Sequence, residues 1–179
     1  FVPYKGRNYH CALRAGHGTL SLKESVAKSC NTLFYELGTR MPIDLLADYA
    51  MRFGLGQKTG VLFSEQAGLV PSSQWKLNER GERWWQGETL SATIGQSYLL
   101  VTPIQIACFI GSIFTGYRVK PRILVHEEVK HTPLAIQPST LKLLQESMYL
   151  AVQLGTGKMI KQLSDIKKKK KTGTAQITA

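Results

Sequence analysis

The chain contains 179 residues, of which 43% are hydrophobic and 20% are charged, a composition typical of globular proteins and unlike that of disordered chains. No apolar run approaches the roughly 18 residues that a membrane-spanning helix needs. The net charge of +11 falls partly on the lysine block 167–171, and no basic stretch is interleaved with aromatic residues to stack nucleic-acid bases. The composition therefore argues against nucleic-acid binding.

The cysteine and histidine residues do not have the spacing of known metal-binding motifs. They are Cys11, Cys30, Cys108, His10, His17, His126 and His131. Since no Cys-x-x-Cys pair occurs, the sequence predicts neither a zinc site nor a disulfide framework, and no cofactor is expected. His17 lies between two glycines, and the simplest interpretation is a loop histidine bonded to the backbone.

The first helical pattern runs from Leu20 to Gly38, with Ser21 and Glu24 in the positions of a capping box. Ser29 and Asn31 interrupt its apolar periodicity with short polar side chains. Such residues suit a break between two helices, where their side chains can be presented outward. A continuous helix with a polar patch explains the pattern equally well, so both interpretations remain open.

Pro42 is predicted to begin a second helix over residues 43–53, because proline suits the first helical turn and Gly54 can end the helix. Residues 57–87 are predicted to be irregular. The three tryptophans in this segment either pin it to the core or line a binding groove.

The second half of the chain continues with mixed elements. Residues 91–100 are predicted to form a bend or short strand, and Thr102-Pro103 to cap an apolar, buried helix over residues 104–114. A strand is predicted over residues 119–129, and a helix from Pro138 through Val152. This order predicts an α+β fold rather than alternating βαβ units.

Residues 171–176, Lys-Thr-Gly-Thr-Ala-Gln, are predicted to form the edge strand of an active site. Lys171 supplies a positive charge, Thr172 and Thr174 supply hydroxyls, and Gly173 leaves room for a substrate backbone. Such a strand can bind an extended peptide by strand addition. The pattern is weak alone, but the upstream tract Ser-Cys-Asn, residues 29–31, has the Ser-x-Asn form that accompanies Lys-Thr-Gly in serine acyl-transfer enzymes.

Further tracts occur in an order and at intervals that carry a family resemblance. They are residues 16–18 (Gly-His-Gly), 53–56 (Phe-Gly-Leu-Gly), 68–72 (Gly-Leu-Val-Pro-Ser), 85–89 (Trp-Gln-Gly-Glu-Thr), 94–96 (Ile-Gly-Gln), 101–105 (Val-Thr-Pro-Ile-Gln) and 120–122 (Lys-Pro-Arg). Together with the Ser-x-Asn and Lys-Thr-Gly tracts, they resemble the transpeptidase domain of class B penicillin-binding proteins. The tract 85–89 favours the elongation type, the penicillin-binding protein 2 group, over the division type.

This resemblance implies a mixed α/β fold of the DD-peptidase/β-lactamase kind, with a central antiparallel sheet flanked by helices. It also implies a membrane-anchored parent protein on the periplasmic face of the bacterial inner membrane. Proteins of this family cross-link peptidoglycan: a serine attacks the D-Ala-D-Ala end of a stem peptide, and the acyl group passes to a neighbouring amine. The implied partners are stem peptides, β-lactams that acylate the serine, and the glycosyltransferase of the elongation machinery.

The resemblance also suggests residue roles. Ser29 matches the middle serine of the family and can relay a proton to the leaving nitrogen, while Asn31 can hold the substrate amide. Lys171 would hold Ser29 in place, and Thr172 and Thr174 would bind the terminal carboxylate. The Thr174 N–H would form half of the oxyanion hole, where Gly173 permits close approach.

The nucleophile of the family lies in a Ser-x-x-Lys motif further upstream of Ser-x-Asn than the 28 residues that precede Ser29 here. Four Ser-x-x-Lys matches occur, at residues 25–28, 73–76, 139–142 and 164–167, which shows how little this pattern specifies. The match at 25–28 falls in the helix that leads to Ser29, so we do not expect it to provide an independent nucleophile.

We therefore expect residues 1–179 to be a partial transpeptidase domain that begins within a longer protein. It would lack the Ser-x-x-Lys segment and the C-terminal strand and helix of the family, and would be inactive alone. The alternative is a non-catalytic homologue that binds cell-wall peptides reversibly. A Ser-x-x-Lys encoded upstream of Phe1 would favour the enzyme.

Overall fold

Residues 1–61, 64–124, 126 and 132–158 are described by the computed structural model of the chain. The helices in this part of the chain are α1 (Leu22–Ala27), α2 (Asn31–Arg40), α3 (Ile43–Arg52), α4 (Ser73–Arg80), α5 (Gln86–Thr93), α6 (Pro103–Thr115) and α7 (Pro138–Gln153). The strands are β1 (Val2–Tyr4), β2 (Arg7–Tyr9), β3 (Tyr117–Arg118) and β4 (Thr132–Pro133). The chain divides into two units, one containing residues 1–40, 86–96 and the described residues from 142, the other residues 41–85 and 97–141.

The core of the first unit joins the β1–β2 hairpin to α2 and α5. Val2, Tyr35 and Leu90 are buried together, and the rings of Tyr9 and Tyr35 pack with their centroids 5.2 Å apart. The helices α2 and α5 approach closely at Gly38, where an added Cβ would lie 3.1 Å from the Leu90 Cα. This packing fixes α2, the helix that begins at Asn31.

The second unit is organised around Gln105 on α6. The helix begins with a capping box in which the Thr102 side chain accepts from the Gln105 N–H and the Gln105 side chain accepts from the Thr102 N–H. Gln105 is 2% exposed, and its Nε2 donates to the Gln57 carbonyl at 2.7 Å and the Ala67 carbonyl at 2.8 Å. One buried amide therefore holds two stretches of loop against α6.

A buried lysine fixes α4 in the second unit. Lys76 is 1% exposed, its Nζ lies 3.3 Å from a Glu82 carboxylate oxygen, and it stands 5.9 Å from the ring centroids of both Trp84 and Tyr98. The prediction that residues 57–87 are irregular is wrong for residues 86–87, which begin α5, and for residues 73–80, which form α4. The helix has no apolar stripe for a sequence pattern to detect, because its buried side chain is a lysine.

Several predictions of elements are confirmed. Helices over residues 43–52, 103–115 and 138–153 match the pattern of apolar positions and caps. Helix α1 ends at Ala27 and α2 begins at Asn31, so the interpretation as two helices is correct and the continuous helix is wrong.

Other predictions of elements fail in whole or in part. The bend or short strand predicted over residues 91–100 is wrong for residues 91–93, which belong to α5, but turns follow at 94–95 and 97–98, and Leu100 pairs with Leu69 in an isolated β-bridge. The strand predicted over residues 119–129 is wrong for its described residues: the pairing lies at Tyr117–Arg118, just before it. The β1–β2 hairpin was not predicted.

The mixed helix-and-strand class is confirmed, and the described strands form two antiparallel pairs. The strand predicted at residues 171–176 lies outside the described residues. Across the part of the chain that is described, the helices are too short or too polar to cross a membrane.

The β-bridge gives a stability test. Gly68 has φ +67°, and a Cβ there would lie 2.3 Å from the Leu100 carbonyl oxygen; Gly81 has the same φ with open space around it. We expect Gly81→Ala to lower the free energy of unfolding by about 1 kcal/mol, the left-handed penalty alone. Gly68→Ala adds the clash and should lower it by about 3 kcal/mol in chemical denaturation. Equal losses in the two variants would contradict this packing.

Candidate active site

Ser29 stands at the junction between α1 and α2 in a left-handed conformation, with φ +55°. The turn is closed by the Cys30 N–H, which donates to the Ser25 carbonyl at 2.9 Å. A non-glycine residue in this region carries strain of about 1–3 kcal/mol, and such strain concentrates at functional sites. The half-buried Ser29 is thus held in a turn that a continuous helix would not provide.

Asn31 begins α2 and is 6% exposed, yet its Nδ2 has no hydrogen-bond partner among the described residues. Leaving a buried donor unsatisfied costs about 1–3 kcal/mol, so few are kept without a purpose. An amide N–H₂ in this state can donate to the carbonyl of a bound ligand. Ser29 and Asn31 together therefore place a hydroxyl and a buried, unsatisfied donor at one helix junction.

Tyr35 lies one turn after Asn31 and is 3% exposed. Burial raises the pKa of its hydroxyl, and the nearby Cys11 and Tyr9 raise it further, while the Asn31 amide and Arg7 act in the opposite direction. The Asn31 side chain thus faces the phenol closely enough to affect its ionisation, although its Nδ2 does not meet hydrogen-bond geometry. Tyr35 is therefore a neutral phenol that borders the Asn31 amide.

Three of the four Ser-x-x-Lys matches lie within the described residues. Ser25 is buried in α1, with 5% of its surface exposed. The Ser73 hydroxyl donates to Asp44 at 2.6 Å. Ser139 is an exposed residue at the start of α7, and the match at 164–167 lies outside the described residues.

The remaining predicted site residues, Lys171, Thr172, Gly173 and Thr174, lie outside the described residues. Their position relative to Ser29 and Asn31 therefore stays a prediction.

The fold brings together Cys11, His17 and Cys30, three residues whose spacing in the sequence matches no metal-binding motif. The Cys11 Sγ lies 3.5 Å from the His17 Nδ1, and one ligand atom from each of Cys11, His17 and Cys30 lies within 4.8 Å of the others. Both cysteines are buried, and His17 is half-buried. Cys30 is the middle residue of the Ser-Cys-Asn tract, so this cluster adjoins the candidate site.

Thiolate and imidazole groups in this arrangement suit zinc. The metal binds Cys sulfur at about 2.3 Å and His nitrogen at about 2.0 Å in a tetrahedron, which needs ligand atoms close together. The three residues fit three of the four positions. Sequence spacing could not reveal this cluster, because residues 11, 17 and 30 have no local motif and meet through the loop that precedes α1. The expectation that no metal is bound stays a prediction.

Comparison with known proteins identifies similar chains. The sequence profile of the penicillin binding protein transpeptidase domain matches residues 3–179. The peptidoglycan D,D-transpeptidase MrdA of Acinetobacter baumannii is 35% identical over 181 residues, which is 92% of this chain and 26% of that protein. MrdA of Escherichia coli K12 is 30% identical over 191 residues, covering 98% of this chain and 30% of that protein.

The solved structures similar to this chain are also penicillin-binding proteins. The complex between penicillin-binding protein 2 (PBP2) and MreC from Helicobacter pylori matches with TM-score 0.92 and 30% identity, covering 99% of this chain and 34% of that chain. PBP2 of Pseudomonas aeruginosa in complex with WCK 5153 matches with TM-score 0.75 and 30% identity, covering 86% of this chain and 36% of that chain. The predicted DD-peptidase/β-lactamase-like fold is confirmed, and the chain spans only 26% to 36% of these relatives.

The cluster of Cys11, His17 and Cys30 predicts that the chain binds a metal ion. We expect the chain to bind one Zn²⁺ ion in competition with a chromogenic chelator, and Cys30→Ser or His17→Ala to weaken binding by at least about tenfold. Cys108→Ser is the matched control, because Cys108 is also a buried free cysteine but is not part of the cluster. Zinc affinity that falls as much in Cys108→Ser as in Cys30→Ser would contradict the assignment.

Proposed function

Because this chain belongs to the penicillin-binding protein transpeptidase family, we propose that it forms part of the catalytic domain of a serine-type peptidoglycan D,D-transpeptidase. The reaction would cross-link D-Ala-D-Ala stem peptides during cell elongation. The same serine acyl-enzyme would be formed by β-lactams.

The observation that carries this proposal is the helix junction at residues 29–31. A strained Ser29 and a buried Asn31 whose Nδ2 has no partner among the described residues supply the two polar groups that the Ser-x-Asn motif needs. The strain at Ser29 and the unsatisfied Asn31 donor both lower stability, and a bound substrate would offset part of that loss by accepting the missing hydrogen bond. In this role the Asn31 amide holds the stem-peptide carbonyl, and the Ser29 hydroxyl passes a proton to the departing D-Ala nitrogen.

The predicted strand at residues 171–174 would complete the cleft. Lys171 would add positive potential beside Ser29, and the threonine hydroxyls would bind the terminal carboxylate of the peptide. The nucleophilic serine would come from a Ser-x-x-Lys segment outside this chain. On this proposal the 179-residue chain is not catalytically competent alone.

The proposed partners and location follow the relatives. A PBP2 structure was solved with MreC, a related structure belongs to a peptidoglycan synthase complex that couples polymerisation and cross-linking, and a Mycobacterium penicillin-binding protein 3 was solved with aztreonam. These structures support β-lactams and an elongation glycosyltransferase as partners of this protein, and the family implies the stem peptide as its substrate. For the location, we propose the periplasmic face of the bacterial inner membrane, as the family resemblance implies.

Ser29→Gly in the full-length protein tests the proposed role of the hydroxyl. Glycine removes the hydroxyl but accepts the left-handed backbone, so the unfolding midpoint should not fall. The rate of acylation by a fluorescent penicillin should drop by about 10²- to 10⁴-fold, as expected for loss of a proton-transfer group.

Ser97→Gly is the matched control, because Ser97 is the other serine with positive φ among the described residues, at +67°. It should leave the acylation rate within about twofold, the scatter expected of a residue without a catalytic role. Acylation at the wild-type rate in Ser29→Gly would contradict the proposal. A full-length protein that binds D-Ala-D-Ala peptides reversibly but is never acylated would favour the non-catalytic homologue.

A further inference from the structure

The second unit contains a cavity of about 170 Å³ that the proposed transpeptidase chemistry does not use. It lies beside the end of α3 and the strand β3, and its lining includes Gly54, Gln57, Lys58, Thr59, Arg118 and Lys120. All of its lining residues belong to the second unit. Three of the six residues named are cationic, and the described residues of the lining include no carboxylate.

The Arg118 guanidinium is fixed in this wall. Its Nη2 donates to the Gln57 Oε1 at 2.9 Å. It also lies against the backbone of Gly54, where an added Cβ would stand 3.1 Å from Nε and 3.2 Å from Nη2. Gly54, at φ +88°, thus allows the planar guanidinium to approach the chain. A guanidinium held in this way keeps further N–H groups for a ligand.

The loop that contains Gln57, which also lines the cavity, is held in place by hydrogen bonds within the protein. Gln57 donates from Nε2 to the Met51 carbonyl at 3.0 Å, and its own carbonyl accepts from the buried Gln105. Both ends of the Gln57 side chain are therefore bonded, one to α3 and one to Arg118. Preorganisation of this kind lowers the entropy lost when a ligand is bound.

The charge of the residues that line the cavity indicates which kind of ligand it can bind. Lys58 and Lys120 are exposed at the cavity, and Arg118 is half-buried. One acid lies beside the cavity: the Glu65 carboxylate accepts from the N–H of the lining residue Thr59 at 2.6 Å, from the Thr59 hydroxyl at 3.1 Å and from the Gly60 N–H at 3.2 Å. Counting Glu65, the local charge remains positive, which favours a compact anion.

We propose that this cavity binds a phosphate group. A fixed guanidinium matches two oxygens of a phosphate, and two flexible lysine ammonium groups can neutralise its negative charge. The volume accommodates a phosphate with part of the molecule that carries it. Two sources share this chemistry, a soluble phosphate ester and the phosphate headgroup of a lipid.

The test is a titration of the ¹⁵N-labelled chain with inorganic phosphate, followed by the backbone amide signals of Gly54, Thr59 and Val119. We expect saturable shifts confined to the cavity. The double variant Lys58→Gln/Lys120→Gln should weaken binding by about tenfold, while the exposed positions of both lysines leave the melting temperature unchanged. The matched control Lys142→Gln/Lys158→Gln removes the same charge from exposed lysines of the first unit and should retain the affinity.

Glucose 1-phosphate, and vesicles with and without phosphatidylglycerol, separate the two sources. Displacement of inorganic phosphate by the sugar phosphate supports a soluble ligand, and displacement only by the anionic vesicles supports a headgroup. Three results would overturn the proposal: no saturable shift at the cavity, equal weakening in the control, or tighter binding of acetate than of phosphate. None of these bears on acylation, so the proposed transpeptidase function is tested separately.

Discussion

The backbone conformation of Ser29 is the constraint on which the candidate site depends. In a continuous helix, residues 29 and 31 would point about 200° apart around the axis, and no cleft could use both. The left-handed turn at φ +55° ends α1, and α2 begins two residues later at Asn31. The junction therefore brings a hydroxyl and an amide of the same tract to a helix end rather than to opposite helix faces.

The first unit contains the packing that sustains this strained junction. Helix α2 is held through Tyr35 in the hydrophobic core and through its close approach to α5 at Gly38. This burial of apolar surface, worth about 25 cal/mol per Å², offsets the local strain and the unsatisfied Asn31 donor. A rigid scaffold can thus hold a polar group without a partner until a ligand supplies one.

The sequence predicts the elements that carry strong local signals. Helices α3, α6 and α7 combine apolar positions with proline or a capping box, and all three were predicted. Helix α4 was missed because its burial depends on Lys76 in a cage of aromatic rings and Glu82, which no local pattern encodes. The β1–β2 hairpin is only three residues per strand and has no clear alternation.

In the candidate site, too, the sequence predicts the residues that carry a local motif and misses those that meet only in the fold. Ser29 and Asn31 were identified from a short motif and its family resemblance, whereas the break between helices could not be decided from periodicity alone. The cluster of Cys11, His17 and Cys30 was missed because it is formed by tertiary contact across a loop. The cationic cavity was missed for the same reason: Lys58 and Arg118 lie 60 positions apart in the sequence.

The central claim is that the Ser-x-Asn and Lys-Thr-Gly tracts form one cleft. A crystal structure of the full-length protein, with residues 171–174 ordered, measures this directly through the distance between the Ser29 Oγ and the Lys171 Nζ. We expect about 3 Å, the length of a hydrogen bond. A separation of more than about 6 Å between two well-ordered side chains, too long even for one bridging water, would contradict it.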